Sequence, residues 1–373
     1  MPDQQLNNQS YEIKSHIDSN LFKKNNFDLI RLLAAAQVVL VHGIVHLDVQ
    51  RLFYLLPYLN SFPGVPVFFF LSGFLISAAW ERNSNLKIFF TNRIVRIFPG
   101  LWFCVLFSLI ILFIFGWLNN VKIPFLLTLI WALMQGTFLP QWNPDFLAWF
   151  GVGVVNGSLW TIPVELSFYI AMPFIYILAS RLNIKHNLIF VILMILSFAI
   201  FYTLIIYEPL NYPQSITKKL VGLSAIPWIG MFLLGALCQR FIHLIHPYVA
   251  NKAPLYFLLF TAVSLLGVNI ESDIIFGYAN EIGILNYLTL CIFVLSLGYT
   301  FPFVADKLLK RNDLSYGIYI YHMIVFNSLI MLDIIGLLGI IIGLGTTLFF
   351  AALSWFVIEK PFLNKRKSYL YKR

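Results

Sequence analysis

FDLIRLLAAAQVVLVHGIVH, the stretch Phe27–His46, is an apolar segment whose length suits one membrane-spanning helix. It nevertheless carries Asp28, Arg31, His42 and His46. Arg31 and His42 are separated by close to three helical turns, so both side chains lie on one face, about 16 Å apart along the axis. His46 follows one turn later on the same face. The segment therefore predicts a membrane helix with a polar stripe.

Two interpretations of this polar stripe are open. Charged and titratable side chains are costly inside a membrane, so Arg31 and His42 are candidates for function. Alternatively, Arg31 extends its charge to the membrane surface and His42 is an interior histidine without a chemical task. This segment alone does not distinguish between them.

The composition of the whole chain is that of a polytopic membrane protein. Of 373 residues, 60% are hydrophobic and 11% are charged, and the mean hydropathy is +0.83. Soluble domains, in contrast, carry roughly 25% charged residues. The predicted fold class is all-α, a bundle of about ten transmembrane helices. Residues 1–26 lack the apolar core of a signal peptide, so we expect the first helix to act as an uncleaved anchor.

Ten apolar segments have roughly the length that a bilayer requires. They lie at residues 28–47, 64–80, 98–118, 158–180, 187–207, 223–243, 254–270, 283–303, 313–334 and 337–358. A further apolar stretch at 123–140 is flanked by prolines and is ambiguous. The orientation of every later loop depends on whether this stretch crosses the membrane.

The distribution of basic residues decides the topology, because Lys and Arg collect in cytoplasmic loops. If 123–140 does not cross and the N-terminus is inside, the 25 Lys and Arg residues all face the cytoplasm except Arg51, Lys122, Lys218 and Lys219. We therefore predict that both termini are cytoplasmic and that 123–140 forms a re-entrant or interfacial hairpin. This bias also explains the net charge of +9, so no nucleic-acid partner is expected. The predicted parts are a polar tail at 1–26, a membrane domain at 27–362 and a basic tail at 363–373.

Small residues interrupt two of the apolar segments. GVPVFFFLSGFLISAAW, residues 64–80, contains Ser72 and Gly73, and IPWIGMFLLGALCQR contains Gly230 and Gly235. Small residues let membrane helices approach closely, so close packing is the expected role of the glycines.

FFTNRIVRIFPGLWF places Arg93 and Arg96 on one helical face at the predicted cytoplasmic end of the third span. Two guanidinium groups on one face suit phosphate groups, because each can bind bidentately. The simpler interpretation is that both arginines are membrane anchors.

NGSLWTIPVELSFYI begins the fourth span with Asn156 and Trp160 and places Glu165 about two turns into the membrane. A carboxylate at that depth must find a partner or become neutral. The candidate partners are His42, Arg31 or a hydroxyl group of a substrate.

Two motifs lie near the C-terminus. LSYGIYIYH places Tyr319 and His322 on one face of the ninth span. SWFVIEKPF ends the last span with Glu359 and Lys360, which we expect to be interfacial anchors. No metal site or disulfide framework is expected, because the only cysteines are widely separated in apolar runs at Cys104, Cys238 and Cys291.

Taken in series, these motifs resemble the acyltransferase family 3 membrane proteins. The resemblance covers about residues 27–362 and rests on an Arg-x10-His spacing in the first helix, FFFLSGFLIS, FFTNRIVRIFPGLWF, NGSLWTIPVELSFYI, LSYGIYIYH and SWFVIEKPF. Many members of the family also carry an extracytoplasmic SGNH domain, which we do not expect in this protein.

The resemblance implies an enzyme of the bacterial inner membrane that moves an acyl group, usually acetyl, from cytoplasmic acyl-CoA to a carbohydrate hydroxyl. Acceptors of O-antigen, capsule, exopolysaccharide or peptidoglycan type are expected, with acetyl-CoA as donor and no metal. The resemblance assigns catalysis to His42 and Glu165 and donor binding to Arg31, Arg93 and Arg96. The residues expected to bind substrate or to support the site are Asp28, Ser72, Asn156, Trp160, Tyr169, Tyr319 and His322.

The chemistry of acyl transfer agrees with these assignments but leaves roles open. His42 is expected to be a base for the acceptor hydroxyl or a transient carrier of the acyl group. Glu165 is expected to orient His42 or to act as the base itself. The alternative function is a proton-coupled transporter or exporter in which Arg31, His42 and Glu165 relay protons. A scaffold without chemistry would leave these three residues unexplained.

Overall fold

The protein is described by a computed structural model over residues 24–137, 139–140, 142–206, 224–268 and 279–370. The predicted tail up to residue 23, the loop 208–222 and the last three residues lie outside the described residues. Within them the chain forms α-helices with short 3-10 and π-helical segments, and no strand. The all-α fold class predicted from composition is therefore confirmed.

Fifteen α-helices occur in the part of the chain that the structure describes. They are α1 Phe27–His46, α2 Leu56–Ser61, α3 Gly64–Arg82, α4 Leu86–Leu118, α5 Phe125–Gln135, α6 Thr161–Arg181, α7 His186–Ile200, α8 Ile229–Arg240, α9 Ile242–Val249, α10 Ala253–Val268, α11 Ile284–Gly298, α12 Val304–Leu309, α13 Ser315–Met331, α14 Gly336–Leu353 and α15 Lys360–Leu370. A π-helical segment, Ser354–Glu359, joins the last two.

Each of the ten predicted spans coincides with one of these helices, but not all helices have full membrane length. Six helical segments among the described residues are long and apolar enough to cross a membrane, and a seventh is obtained if the bent pair α8 and α9 counts as one. Helices α11 and α13 are shorter than the predicted spans. Ten full crossings therefore remain a prediction.

Helix α5 occupies the ambiguous stretch at 123–140. Its 11 residues rise about 16 Å, about half of the roughly 30 Å hydrocarbon core of a bilayer. This length agrees with the prediction that the stretch is not a full crossing.

The fold divides into two compact units. Unit 1 comprises residues 1–31, 65–90 and 167–311, and unit 2 comprises residues 32–64, 91–166 and 312–373.

Unit 1 is built around a close contact between α3 and α8. A Cβ atom added at Gly73 would lie 1.8 Å from the carbonyl oxygen of Phe232, and one added at Gly235 would lie 2.0 Å from that of Phe70. The two helix backbones therefore touch directly, which only glycine permits at these positions. The predicted packing role of both glycines is confirmed.

A buried polar cluster ties three helices of unit 1 together. Glu81 forms an ion pair with Arg240 and accepts hydrogen bonds from Tyr176 at 2.6 Å and from Gln239 at 3.1 Å. The Arg240 side chain is 14% exposed and that of Glu81 is 5% exposed. Because each charge is met by several hydrogen bonds, the cluster satisfies the requirement for burying an ion pair.

Helix α13 forms the centre of unit 2, where all but four of its 17 residues are buried. Glycines allow its neighbours to approach, since a Cβ atom at Gly317 would lie 2.8 Å from the Cα atom of Ala351 on α14. On the other side, a Cβ atom at Gly43 of α1 would lie 3.1 Å from the ring of Phe326. Close packing therefore fixes α13 against both helices.

Candidate active site

His42 and His322 meet in unit 2. The Nδ1 atom of His42 lies 2.8 Å from Nε2 of His322, and the two rings are stacked with centroids 5.1 Å apart. The Nδ1 atom of His322 lies 2.7 Å from the backbone carbonyl oxygen of Tyr319. His322 is fully buried, whereas His42 is partly exposed. The structure therefore brings together three of the residues that the sequence singled out.

The carbonyl oxygen of Tyr319 determines which ring nitrogens of His322 and His42 carry a hydrogen. A carbonyl oxygen only accepts hydrogen bonds, so Nδ1 of His322 carries a hydrogen and donates it. In the neutral ring, Nε2 of His322 is then an acceptor, and Nδ1 of His42 must donate to it. The neutral His42 ring consequently has its lone pair on Nε2. This nitrogen is suited to accept a proton or to attack a carbonyl carbon.

Apolar packing holds the two histidine-bearing helices in register. Val39 and Ile44 of α1 belong to the same buried cluster as Val325 and Phe326 of α13. The Phe326 ring also packs edge-on against the His322 ring, with centroids 5.8 Å apart. Because packed cores resist rearrangement, the hydrogen bond between the histidines rests on a rigid support.

His46 lies beside this pair, with its ring centroid 5.4 Å from that of His42. It adds a third imidazole to the site, as expected from its position one turn after His42.

Glu165 lies near the same site on α6. It is four residues after Thr161, so both side chains share one face of the helix. The Thr161 hydroxyl donates to the Tyr319 hydroxyl at 3.0 Å, and Glu165 interacts electrostatically with the hydroxyls of Tyr319 and Tyr316. The carboxylate predicted to be catalytic therefore lies next to the helix that carries His322.

The sequence suggested Glu165 as the group that orients His42. In the structure, the hydrogen-bond partner of Nδ1 of His42 is Nε2 of His322, which accepts its hydrogen. His322 was expected to support the site, and the structure shows how it is placed to do so. The spacing of residues within one motif could not indicate that its partner is His42 on another helix.

Asn156 anchors the polypeptide before α6 to the centre of unit 2. It is buried, donates to the carbonyl oxygen of Ile320 at 2.8 Å and accepts from Ser158 at 2.7 Å. Asn327 acts similarly, because its amide nitrogen donates to the carbonyl oxygens of Val154 and Val155. The segment that precedes α6 is thus held to α13 on either side of His322.

Arg93 and Arg96 lie one turn apart on α4 and are both half-buried. Arg96 forms an ion pair with Asp313, and its guanidinium also lies 5.7 Å from the ring of Trp355. Asp313 also accepts hydrogen bonds from the backbone nitrogen and the hydroxyl of Ser315, the first residue of α13. The sequence did not indicate this partner for Arg96. A phosphate-binding role for the arginine pair remains a prediction.

The other predicted residues are distributed over both units. In unit 1, Arg31 lies 3.8 Å from the exposed carboxylate of Asp28, and an exposed pair of this kind contributes little stability. Ser72 and Tyr169 also belong to unit 1, whereas the half-buried Trp160 belongs to unit 2. The binding roles of these residues remain predictions.

Glu359 differs from its expected role as an interfacial anchor. It is 1% exposed, so it is part of the interior of unit 2. The expectation was wrong because the chain forms a π-helical turn at Ser354–Glu359, which directs the side chain inward and is not readable from periodicity. Lys360, in contrast, is half-buried and donates to Asn312 at 3.0 Å.

Within the described residues, no group of three or more His, Cys, Asp or Glu side chains is placed to hold a metal ion. The chemistry that the arrangement supports is that of an oriented imidazole with a free nitrogen at Nε2.

A family model described as an acyltransferase domain matches residues 24–358, nearly the whole chain. Among curated proteins, Nodulation protein 10 of Rhizobium leguminosarum bv. viciae is 31% identical over 94% of this chain and 96% of its own length. The O-acetyl transferase of Shigella phage Sf6 is 29% identical over 92% of this chain and 98% of its own length.

A more distant similarity is found to a putative acetyltransferase, ORF330, of Acidianus two-tailed virus, with 23% identity over 75% of this chain and 76% of that protein. No solved structure matches the chain.

Proposed function

The chain belongs to the acyltransferase family whose domain covers residues 24–358, and on that premise we propose that it moves an acetyl group from cytoplasmic acetyl-CoA to a carbohydrate hydroxyl. The acceptor is an extracytoplasmic or lipid-linked glycan of O-antigen, capsule, exopolysaccharide or peptidoglycan type. The observation that carries the proposal is the hydrogen-bonded chain from His42 through His322 to the carbonyl of Tyr319.

The relatives support the choice of acetyl group. One relative of nearly full length is named an O-acetyl transferase, and a more distant one is named a putative acetyltransferase. The carbohydrate acceptor and the CoA donor come from the sequence resemblance. The proposed location is the bacterial inner membrane, with both termini in the cytoplasm.

In the proposed reaction, Nε2 of His42 removes the proton from the acceptor hydroxyl as its oxygen attacks the thioester carbonyl carbon. The C–S bond then breaks, and the thiolate takes the proton from Nε2, so the products are an ester and a thiol. His322 stabilises the transient imidazolium by accepting the hydrogen bond from Nδ1. Alternatively, Nε2 attacks the thioester carbon and the C–S bond breaks, which gives an acyl-imidazole and a thiolate. Glu165 then takes the proton of the acceptor hydroxyl as its oxygen attacks the acyl carbon, the C–N bond breaks to release the ester, and the proton passes to the thiolate.

The donor is proposed to bind by its phosphates to Arg93 and Arg96 of unit 2, with Arg31 of unit 1 as a further candidate. Guanidinium groups suit this task because they bind phosphate oxygens bidentately. Arg96 would then exchange or share its ion pair with Asp313.

The test is acetyl transfer by the purified, full-length protein in lipid vesicles, with labelled acetyl-CoA outside and isolated cell-envelope glycans as acceptors. Since loss of a general base lowers rates by about 10²–10⁴-fold, His42→Ala is expected to abolish detectable transfer. His46→Ala is the matched control, because His46 lies on the same helix outside the hydrogen-bonded chain, and it should retain activity. Full activity of His42→Ala would contradict the proposal, as would glycan movement without acetyl transfer.

A further inference from the structure

The segment 150–160 of unit 2 runs along helix α13 without forming an α-helix. Near its start, the backbone nitrogen of Gly151 lies 3.4 Å from Sδ of Met331. Further on, Asn156 donates to the carbonyl oxygen of Ile320 at 2.8 Å. Helix α13 rises about 16 Å between these two positions. Over that distance the segment consists of turns, which one short 3-10 helix follows.

This irregular segment lies beside the apolar part of α4, a helix long and apolar enough to cross a membrane. The ring of Phe150 packs against that of Phe115 with centroids 5.8 Å apart, and the amide nitrogen of Asn156 lies 3.6 Å from Sγ of Cys104. Segment 150–160 therefore lies at membrane depth. Irregular backbone is tolerated there only where it is buried in protein or lines a water-filled cavity.

The exposure of the segment decides between these two environments. Val152 and Val154 are 40% and 41% exposed, and Gly157 and Trp160 are half-buried. The segment is thus not enclosed by protein. Because irregular backbone does not face lipid, the exposed positions face water. His42 is also partly exposed, so water reaches the candidate base as well.

A buried amide on α13 fixes the exposed part of the segment in place. Asn327 is fully buried, accepts a hydrogen bond from the backbone nitrogen of Val152 and donates to the carbonyl oxygens of Val154 and Val155. It follows His322 by five residues, or about 8 Å of helical rise. The two exposed valines therefore belong to a preformed surface close to the histidine pair.

We infer that segment 150–160 is the wall of a water-filled vestibule through which the carbohydrate acceptor reaches His42. A glycan needs such a route, because its hydroxyl groups are costly to bury in hydrocarbon. The exposed side chains of Val152 and Val154 offer apolar surface to the C–H groups of a sugar ring. Under the predicted topology, the end of the segment beside Met331 is the outer end. This inference rests on the proposed function, because it assigns a route to the acceptor which that function requires.

The first test is labelling of single cysteines with a charged, membrane-impermeant methanethiosulfonate, in a chain whose three native cysteines are replaced by alanine. The reagent needs a thiolate, which forms in water but not in apolar surroundings. Val152→Cys and Val154→Cys should therefore be labelled from the outside of intact cells. Ile110→Cys should not, although Ile110 is 50% exposed, because it lies with Leu106 and Ile114 on an exposed apolar stripe of α4 that suits lipid.

The second test compares acetyl transfer by Val154→Cys before and after labelling in the vesicle assay. The adduct occupies the vestibule, so the KM for the glycan acceptor should rise about tenfold or more on labelling, which corresponds to about 1.4 kcal/mol of binding free energy. The KM for acetyl-CoA should not change. Both states have the same sequence, so misfolding does not explain a difference. Treatment of Ile110→Cys with the reagent should leave both KM values unchanged.

Absence of labelling at both valine positions would overturn the inference, because the segment would then be enclosed. Equal labelling of Ile110→Cys would do the same, since exposure would not separate water from lipid. Labelling of Val154→Cys without a change in the KM for the glycan would show that the acceptor takes another route. If the unaltered protein transfers no acetyl group, the proposed function fails and the acceptor route with it, whereas the labelling pattern alone decides the vestibule.

Discussion

At the scale of single residues, the arrangement of His42 replaces the usual carboxylate partner with a second imidazole. In hydrolytic triads, a buried carboxylate holds the tautomer of the catalytic histidine. Here the carbonyl oxygen of Tyr319 fixes the tautomer of His322, which in turn fixes that of His42. An uncharged partner avoids burying a further charge in the interior of a membrane protein.

This arrangement predicts that His322 is a positioning residue. His322→Leu removes the acceptor for Nδ1 of His42, so kcat should fall about 100-fold while the KM for acetyl-CoA is unchanged. His322→Gln should recover part of the loss, because its carbonyl accepts from His42 and its amide donates to Tyr319. Steady-state kinetics at varied donor concentration measure both quantities. Equal activity of the two variants would show that His322 only fills space.

The sequence predicted which residues are unusual better than it predicted their partners. Arg31, His42 and Glu165 were identifiable because charges in apolar segments are rare. The pairing of His42 with His322 joins residues 280 positions apart and has no local signal. The same holds for Arg96, whose partner Asp313 lies in a short polar connection before α13. Glu359 was misjudged because its orientation depends on a π-helical turn.

At the scale of elements, glycine sets the distance between α3 and α8. Gly73→Ala would place a methyl group 1.8 Å from the carbonyl oxygen of Phe232, so the helices must separate. Overpacking of this kind costs about 1–3 kcal/mol, and we expect Gly73→Ala to lower the free energy of unfolding by at least about 2 kcal/mol. Denaturant titration of the purified protein in detergent, followed by tryptophan fluorescence, measures the difference.

Gly345→Ala is the matched control for this prediction, because an added Cβ atom at Gly345 of α14 meets nothing within 4 Å. It should not lower the free energy of unfolding, because alanine has the higher helix propensity. If Gly345→Ala lowered the free energy of unfolding as much as Gly73→Ala does, the contact between α3 and α8 would not explain the loss at Gly73.

Element positions were predictable because hydrophobicity over about 20 residues is a strong signal, whereas element lengths were not. Helix α4 has 33 residues and begins before Arg93, although its apolar part starts near residue 98. Helix α11 ends at Gly298, before the predicted span does. Hydropathy indicates where a chain can be buried. Turns and helix ends depend on backbone contacts, about which hydropathy carries no information.

At the scale of the whole molecule, the orientation of every loop after α5 depends on that one helix. Its 11 residues rise about half the thickness of the hydrocarbon core, and if α5 does not cross, the basic residues collect on one side. If α5 did cross, the basic C-terminal tail and the loop that contains Lys307 would face outward. The predicted cytoplasmic position of Arg93 and Arg96 is the same in both cases, because both residues precede α5.

Labelling of single cysteines tests this topology, in a chain whose three native cysteines are replaced by alanine. A membrane-impermeant maleimide applied to intact cells should label Arg51→Cys and Asp145→Cys. It should label Arg82→Cys and Lys307→Cys only in inside-out vesicles, because both positions follow predicted cytoplasmic ends of spans. A crossing by α5 would reverse positions 145 and 307 and leave 51 and 82 unchanged, so the pattern of the four variants identifies the behaviour of that helix.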